Sequence, residues 1–308
     1  MKKYILKISA FLLVVAMLDI LCGYLYDHIE NRAKGGATYK NRYLEECCKD
    51  EILILGSSRA ARHYVPRVIQ DSLGLSCYNG GEPGCGVVTM YPRYRMVKQR
   101  KLPRLIIYEV TPTFDYSIFD DYSKYLGPIR QSSDKEPVKE AFYKFSDNLE
   151  PVRLLSKMYR NNSCIVNNVM DMIVIDTINR GYLPMDGCLN PTTNSNIPLP
   201  HTLTTDSLKW SYMKDFFEEV KSDGVGLCII ISPIYFLNKK HIEKWQKEYS
   251  LIRDYCSTNN IALFDEIYME GLSNDSTKFH DYMHLNDSGA VAFTRAIIPE
   301  LRGLLNNY

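Results

Sequence analysis

The sequence contains a serine, an aspartate and a histidine whose surroundings suit one reaction. Ser58 follows the apolar run Ile52–Leu55 after a short Gly-Ser turn, and Asp281 and His284 lie near the other end of the chain. A serine hydroxyl is a weak nucleophile until a neighbouring base takes its proton, and histidine is the most frequent base. These three residues could therefore act together, with the serine as nucleophile, the histidine as base and the carboxylate orienting the imidazole.

Each of these residues also has an ordinary interpretation. A serine directly after a buried strand is often a helix N-cap, and a histidine in a loop often has no role beyond the surface. The position of His284 favours catalysis, because the following segment 285–290 has the composition of a helix start. His280 lies in the same segment, and we rank it below His284. The remaining histidines have no such setting: His28, His63, His201 and His241.

A glycine-rich loop, Gly80–Gly86, follows a short predicted strand that ends near Asn79. Acyl transfer creates an oxyanion, and backbone N–H groups in such a loop can stabilise it. The GxxGxG order of this loop differs from the GxGxxG of dinucleotide-binding loops, and the sequence has no GxxxxGK[ST] phosphate-binding motif. An oxyanion site is therefore favoured over a nucleotide site.

Taken in this order, the three segments resemble the blocks of the SGNH, or GDSL, hydrolase family. The resemblance covers about residues 51–115 and 225–305. It implies that Ser58 is the nucleophile and that Asp281 and His284 complete its triad. It also implies that the backbone N–H groups of Ser58 and Gly84 bind the oxyanion.

The sequence departs from the family pattern at two positions. Ser57 stands where the family has the Asp of its Gly-Asp-Ser block, and segment 110–115 lacks the Asn that supplies the third oxyanion donor. Thr111 or Thr113 could donate instead, or the oxyanion site could have two donors. The missing Asn removes one oxyanion donor, which bears on the efficiency of hydrolysis and not on the predicted fold.

Three further residues are predicted as candidates for substrate binding. Arg59 lies next to the nucleophile and, with Arg62, suits an anionic substrate or polymer; ion pairs at the sheet edge are an equally good use for both. The other two candidates come from the family blocks: Asn79 and Thr111.

The order of apolar runs predicts an α/β fold. Alternating strands and helices give a mainly parallel sheet with helices on both faces, in a three-layer α/β/α arrangement of the SGNH or flavodoxin-like type. Between the third and fourth strands, residues 115–203 are predicted to form an irregular insertion over the carboxyl edge of the sheet. Helical patches are expected near 136–146, 151–160 and 165–179. The predicted strands are Ile52–Leu55, Leu75–Tyr78, Leu105–Val110, Val225–Ile231 and Ile261–Phe264.

The N-terminal segment 1–26 has the pattern of a signal-anchor. Three lysines precede an apolar stretch, residues 8–26, which is interrupted only by Asp19 and is long enough to cross a bilayer. The positive-inside rule places the N-terminus in the cytoplasm and the rest of the chain outside the cytoplasmic membrane. A cleaved signal peptide is the alternative, and lipidation at Cys22 is disfavoured because no small residue precedes it. Residues 27–50 are expected to link the anchor to the folded domain, 51–308.

Composition excludes several classes of function. The 308-residue chain has a formal net charge of +1, which does not favour nucleic-acid binding. Nine cysteines form no CxxC pair, so we expect no zinc or other metal site. Catalysis by serine, histidine and aspartate requires no cofactor, and none is expected.

Together these features predict a membrane-anchored serine esterase or O-acyltransferase acting on an acylated glycan or envelope polymer. The second Ser in the first block resembles a membrane-linked branch of the superfamily, whose members O-acetylate alginate or help to D-alanylate teichoic acid. That resemblance implies a membrane-bound acyl-donor protein as partner. The alternative is a non-catalytic glycan-binding or scaffold protein, which the missing Asn favours.

Overall fold

The computed structural model describes residues 2–161, 169–173, 179–191, 204–236 and 239–306. The chain forms two compact units. The first comprises Met1–Cys47 with Leu126–Ile178, and the second comprises Cys48–Tyr125 with Asn179–Tyr308.

The described helices are numbered here in chain order. A π-helical turn at Tyr43–Cys47 and two 3-10 turns, Gly127–Ser132 and Ser276–Lys278, accompany them. The α-helices are α1 (Lys2–Glu30), α2 (Gly36–Arg42), α3 (Ser58–His63), α4 (Pro66–Leu73), α5 (Val87–Lys98), α6 (Pro112–Asp115), α7 (Tyr122–Leu126), α8 (Glu136–Phe145), α9 (Glu150–Arg153), α10 (Lys157–Arg160), α11 (Ser207–Ser222), α12 (Lys239–Glu248), α13 (Ser250–Thr258), α14 (Asp287–Ala296) and α15 (Ile298–Leu305).

The second unit is built on a five-stranded sheet in the order β2-β1-β3-β4-β5. Every neighbouring pair is parallel. The strands agree with the five apolar runs of the sequence, so the predicted α/β class is confirmed. They are β1 (Ile52–Gly56), β2 (Cys77–Asn79), β3 (Leu105–Glu109), β4 (Gly226–Ile231) and β5 (Ala262–Asp265).

Helices cover both faces of this sheet. On one face, Ile54 and Ile107 share a core with Tyr64, just after α3, and with Phe293 of α14. On the other face, the ring of Tyr108 lies 5.6 Å from that of Phe216 in α11. Strands buried on both faces must be apolar throughout, and all residues of β1, β3 and β4 are buried. The predicted three-layer arrangement is confirmed.

The first unit contains α1, α2, the π-helical turn and helices α8 to α10. Helix α1 has a mean hydropathy of 2.4 over its most apolar window and is long and apolar enough to cross a membrane. Residues 36–47 of the expected linker are helical, and Leu44 is fully buried. Two of the helical patches predicted in the insertion correspond to α8 and to α9 with α10, while much of the patch at 165–179 lies outside the described residues. The position of the insertion over the sheet remains a prediction.

Candidate active site

Ser58 owes its position to a close approach between β1 and β3. Gly56, the last residue of β1, has a φ of +136°, and a Cβ there would lie 2.4 Å from the carbonyl oxygen of Glu109. Only glycine accommodates both the backbone conformation and the contact. The chain then turns through Ser57 and begins α3 with Ser58, at the carboxyl edge of the sheet where α/β folds bind ligands.

The structure brings together the three residues of the predicted triad. Ser58 Oγ lies 2.8 Å from His284 Nε2. His284 Nδ1 lies 2.9 Å from Asp281 Oδ2 and 3.0 Å from Asp281 Oδ1. Ser58 and His284 are both partly exposed to solvent. This geometry allows His284 to take the hydroxyl proton at Nε2 while Asp281 fixes Nδ1–H.

Hydrogen bonds to Asp281 favour the ionised form of its carboxyl group beside the imidazole. Its Oδ1 accepts the backbone N–H groups of Met283 at 2.8 Å and of His284 at 2.9 Å. Burial acts to raise the pKa of this carboxyl, but the hydrogen bonds and charge of His284, together with these N–H groups, hold its pKa below the ordinary value. An ionised Asp281 can stabilise the imidazolium that forms when Ser58 is deprotonated.

The two residues after His284 anchor the loop that carries it. Leu285 is fully buried in the core, and Asn286 is the N-cap of α14, accepting the N–H of Gly289 at 3.0 Å. The Asn286 amide also donates to the carbonyl oxygens of Gly187 and Thr277, both at 2.8 Å. These contacts fix the start of α14 and therefore the loop that carries His284.

His63 is a site residue that the sequence analysis missed. It is fully buried at the end of α3, and its Nε2 accepts the backbone N–H of Leu285 at 3.1 Å. Its Nδ1 therefore carries the hydrogen and donates to Ser232 Oγ at 2.7 Å. Burial, followed by the positive charge of Arg59, lowers the pKa of His63 well below its ordinary value. His63 thus remains neutral and connects α3 to the His284 loop. No motif in the sequence marks this contact.

Arg59 requires a correction as a substrate-binding candidate. Its side chain is only 2% exposed, and Nη2 lies 3.1 Å from Glu109 Oε1 in a buried ion pair. Nη1 donates to Tyr249 Oη at 2.6 Å, and Nε donates to Ser232 Oγ at 3.2 Å. Of the two interpretations left open by the sequence, the ion pair is correct, because the guanidinium points into the protein rather than toward a substrate.

Asn79 also requires a correction. Its side chain is fully buried, and Nδ2 donates to the carbonyl oxygens of Ala60 at 2.7 Å and Tyr64 at 3.0 Å. Its Oδ1 accepts the N–H of Gly81 at 3.0 Å. A side chain so occupied does not contact substrate; it connects α3 to the start of the glycine-rich loop.

The glycine-rich loop has a second support in Arg93 of α5. This buried guanidinium donates to the carbonyl oxygen of Gly80 and to Glu82 Oε2, both at 2.9 Å. Within this loop Gly84 adopts a φ of +74°, which favours glycine. The assignment of Gly84 N–H and Ser58 N–H to the oxyanion remains a prediction.

Thr111, the third substrate-binding candidate, lies in the segment without the family's Asn. Its Oγ1 is 2.7 Å from Ser57 Oγ, and the residue is 7% exposed. Ser57, in the place of the family's Asp, is fully buried. The two departures from the family pattern therefore meet in one hydrogen bond beside the nucleophile. His280, ranked below His284, has Nδ1 2.6 Å from the carbonyl oxygen of Asp186.

Comparisons with known proteins found similarity to solved structures only at low sequence identity. No family model matches the chain, and no curated protein matches it. Similar solved structures include a protein described as a platelet activating factor from Streptococcus pneumonia, with 12% identity, a TM-score of 0.40, and coverage of 93% of this chain and 99% of that one. A lipolytic protein of the G-D-S-L family from Desulfitobacterium hafniense has 11% identity, a TM-score of 0.38, and coverage of 81% and 98%. An acylhydrolase from Bacteroides fragilis has 12% identity, a TM-score of 0.39, and coverage of 87% and 99%.

Proposed function

We propose that this protein is a serine esterase or O-acyltransferase of the SGNH type, with Ser58 as its nucleophile. The observation that carries the proposal is the continuous hydrogen-bonded chain from Ser58 Oγ through His284 to Asp281, with distances of 2.8 Å and 2.9 Å. A binding protein has no need of a serine hydroxyl aligned on an imidazole that a carboxylate orients.

In the first half of the reaction, Ser58 Oγ attacks the acyl carbonyl carbon as His284 Nε2 takes the hydroxyl proton. The carbonyl oxygen becomes an oxyanion. The tetrahedral intermediate then expels the alcohol oxygen, which takes the proton from His284 Nε2, and leaves the acyl group bonded to Ser58.

The second half repeats these steps with a new hydroxyl. Either water or a sugar hydroxyl gives its proton to His284 and attacks the acyl carbon. Collapse of the intermediate breaks the bond to Ser58 Oγ and returns the proton to the serine. Water as acceptor gives hydrolysis, and a sugar hydroxyl gives acyl transfer.

The oxyanion is assigned to the backbone N–H groups of Ser58 and Gly84. Ser58 N–H lies in the first turn of α3, where amides have no intrahelical acceptor. Thr111 Oγ1 is a candidate third donor if Ser57 gives its own hydroxyl hydrogen to Thr111. Each donor in such a site contributes about 3–4 kcal/mol to the transition state.

The proposed substrate is an acylated glycan or envelope polymer outside the cytoplasmic membrane. Helix α1 supports a single-pass anchor, and the lysines in its N-terminal turns favour a cytoplasmic N-terminus. A membrane-bound acyl-donor protein is the proposed partner if the reaction is a transfer. Arg62, which is half-buried one turn after the nucleophile, is a candidate contact for an anionic polymer.

The deciding experiment is covalent labelling of the full chain in detergent with a fluorophosphonate, followed by peptide mapping. We expect an adduct on Ser58 that is lost in Ser58→Ala and strongly slowed in His284→Ala. The matched control is His280→Ala, which removes a neighbouring imidazole and should label at the parent rate.

Two outcomes would contradict the proposal. One is folded parent protein without an adduct, which would favour the non-catalytic glycan-binding or scaffold function and make the missing Asn its cause. The other is labelling of Ser58 that does not depend on His284.

A second experiment separates acyl transfer from hydrolysis. A radiolabelled acetyl ester is followed in the presence of oligosaccharide acceptors.

A further inference from the structure

The apolar helix α1 carries a carboxylate that is bonded to another part of the first unit. Asp19 Oδ1 accepts Ser156 Oγ–H at 2.6 Å and the N–H of Met158 at 3.0 Å. Asp19 Oδ2 accepts the N–H of Lys157 at 2.9 Å. Three donors from one short segment therefore satisfy the acidic side chain that interrupts the apolar stretch.

The contact between α1 and this segment continues along the helix. A Cβ at Gly23 would lie 2.3 Å from Lys157 Cδ, so the lysine stem lies directly on the surface of α1. Lys157 Nζ then reaches Asp27 at 3.0 Å. Residues 156–157 and the start of α10 therefore pack along α1 from Asp19 toward its C-terminal end.

The segment before and within α10 exposes a row of large apolar side chains. They recur at every third residue, in a segment made of the short helices α9 and α10 and the turn between them. Between them, Glu150 and Leu154 are buried. We call this row the apolar strip, and its members with their exposed fractions are Leu149 (62%), Val152 (63%), Leu155 (76%) and Met158 (45%).

The length of α1 determines how deep this segment would lie in a bilayer. From Ile8 to Tyr26 the helix rises about 27 Å, which nearly covers a hydrocarbon core of about 30 Å. Asp19 is seven residues before Tyr26, about 10 Å inside the outer boundary. Residues bonded to Asp19 must then lie at about the same depth, where unpaired polar groups are costly and exposed apolar side chains are favoured.

We propose that residues 149–158 form a second membrane element, which inserts the apolar strip into the outer leaflet beside α1. The occupant of the strip is lipid, because the strip adjoins the apolar surface of α1 at the depth set by Asp19. Interfacial helices bury their apolar side about 5–10 Å into a bilayer, in agreement with this depth. Asp19 then has a positioning role, since it binds the segment while its charge is satisfied by donors.

The proposal rests on the proposed membrane anchor, that is, on α1 crossing the bilayer. The test distinguishes failure of the anchor from failure of the second membrane element. The photoreactive residue p-benzoylphenylalanine is placed at one position at a time in the full chain, in vesicles of phosphatidylcholine with one fifth phosphatidylglycerol. The positions are Leu13 in the middle of α1, Leu155 in the apolar strip, and Asn31. Asn31 is exposed and lies about 18 Å beyond Asp19 along the chain direction of α1.

After irradiation, we expect lipid adducts by mass spectrometry at Leu13 and Leu155, with at least a tenfold lower yield at Asn31. Lipid adducts at Leu13 without any at Leu155 would overturn the second membrane element and leave the anchor intact. Adducts at neither position would overturn the anchor itself. Cross-linking of Leu155 to a second copy of the chain would assign the strip to self-association instead.

A pair of variants tests the role of Asp19. Asp19→Leu leaves α1 apolar but removes every acceptor for residues 156–158, so the lipid adducts at Leu155 should fall several-fold while those at Leu13 persist. Asp19→Asn retains an acceptor and should keep most of the adducts. Unchanged labelling at Leu155 in Asp19→Leu would overturn the positioning role.

Discussion

The Nε2 atom of His63 accepts the backbone N–H of Leu285 at 3.1 Å, although 222 residues separate the two in sequence. This hydrogen bond joins the helix that begins with Ser58 to the residue that follows His284. The nucleophile and the base are therefore held by the two ends of one buried contact. The rings of His63 and His284 lie edge to face with centroids 6.2 Å apart.

Removing this contact should impair catalysis more than folding. In His63→Ala, the Leu285 N–H loses its acceptor and Ser232 Oγ loses one of its donors, so the His284 loop is free to shift relative to Ser58. A displacement of about 1 Å can cost about 10²-fold in rate, so we expect such a loss in kcat with little change in KM. Hydrolysis of p-nitrophenyl acetate and the rate of fluorophosphonate labelling measure it.

His63→Gln is the matched control for this prediction. A glutamine oxygen can accept the Leu285 N–H in place of Nε2, so most of the rate should return. Equal losses in the two variants, or a rise in KM alone, would contradict a positioning role for His63.

The buried neutral state of His63 also predicts a pH dependence of stability. Burial lowers the pKa of His63 in the folded chain, whereas in the unfolded chain it titrates near 6.5. As pH falls below about 6.5, the unfolded state binds a proton that the folded state does not, and the free energy of unfolding decreases. Between pH 7.5 and 5.5, His63 should account for a loss of roughly 1.4 kcal/mol.

Denaturant unfolding of the parent chain and His63→Gln at both pH values measures this difference. The variant should lose less stability than the parent over the same interval, because glutamine does not titrate. Parallel pH dependence of the two proteins would show that His63 is protonated equally in the folded and unfolded states.

Asp281→Asn should preserve the loop and abolish most of the activity. The asparagine oxygen can still accept the N–H groups of Met283 and His284, but its amide then presents N–H toward His284 Nδ1. The imidazole is driven to the tautomer that cannot take a proton from Ser58 at Nε2, and losses of about 10⁴-fold follow in comparable triads. Steady-state ester hydrolysis with purified full-length protein measures the loss.

The companion variant Asp275→Asn gives the control for this measurement. Asp275 accepts the N–H of Thr277 at 2.9 Å in the nearby 3-10 turn and does not contact the triad. Its rate should remain within about twofold of the parent. An active Asp281→Asn protein would show that the carboxylate is not required to orient His284.

The Arg59–Glu109 ion pair should be essential for stability rather than for substrate binding. Glu109→Ala leaves a fully buried guanidinium without its counter-charge, which typically costs about 3–5 kcal/mol. Urea unfolding of the full chain in detergent measures the change. The control Glu136→Ala breaks the exposed pair with Lys139 and should change stability by less than about 1 kcal/mol. Similar small effects in both variants would contradict the structural role of the pair.

The sequence by itself determined the framework and predicted the residues of the candidate site. Runs such as Ile52–Leu55 and Val225–Ile231 are apolar throughout, which is required of parallel strands covered on both faces. The crossover rule then brings their carboxyl ends to one edge, so a serine after β1 was already expected near that edge. The triad of Ser58, Asp281 and His284 could be predicted because each of these residues lies in a local motif, and the structure brings the three together.

Only the tertiary structure decided which polar side chains near the candidate site are exposed and which are buried and hydrogen-bonded within the protein. Arg59, Asn79 and His63 are all in or near α3, and their residue types alone suit either position. Their partners lie on other strands and loops; Arg59 meets Ser232, 173 residues away in sequence. Local patterns do not encode such pairings, because burial and hydrogen bonding depend on the packing of segments remote in the chain. For the same reason, the role of Asp19 became visible only when Ser156 was found beside it.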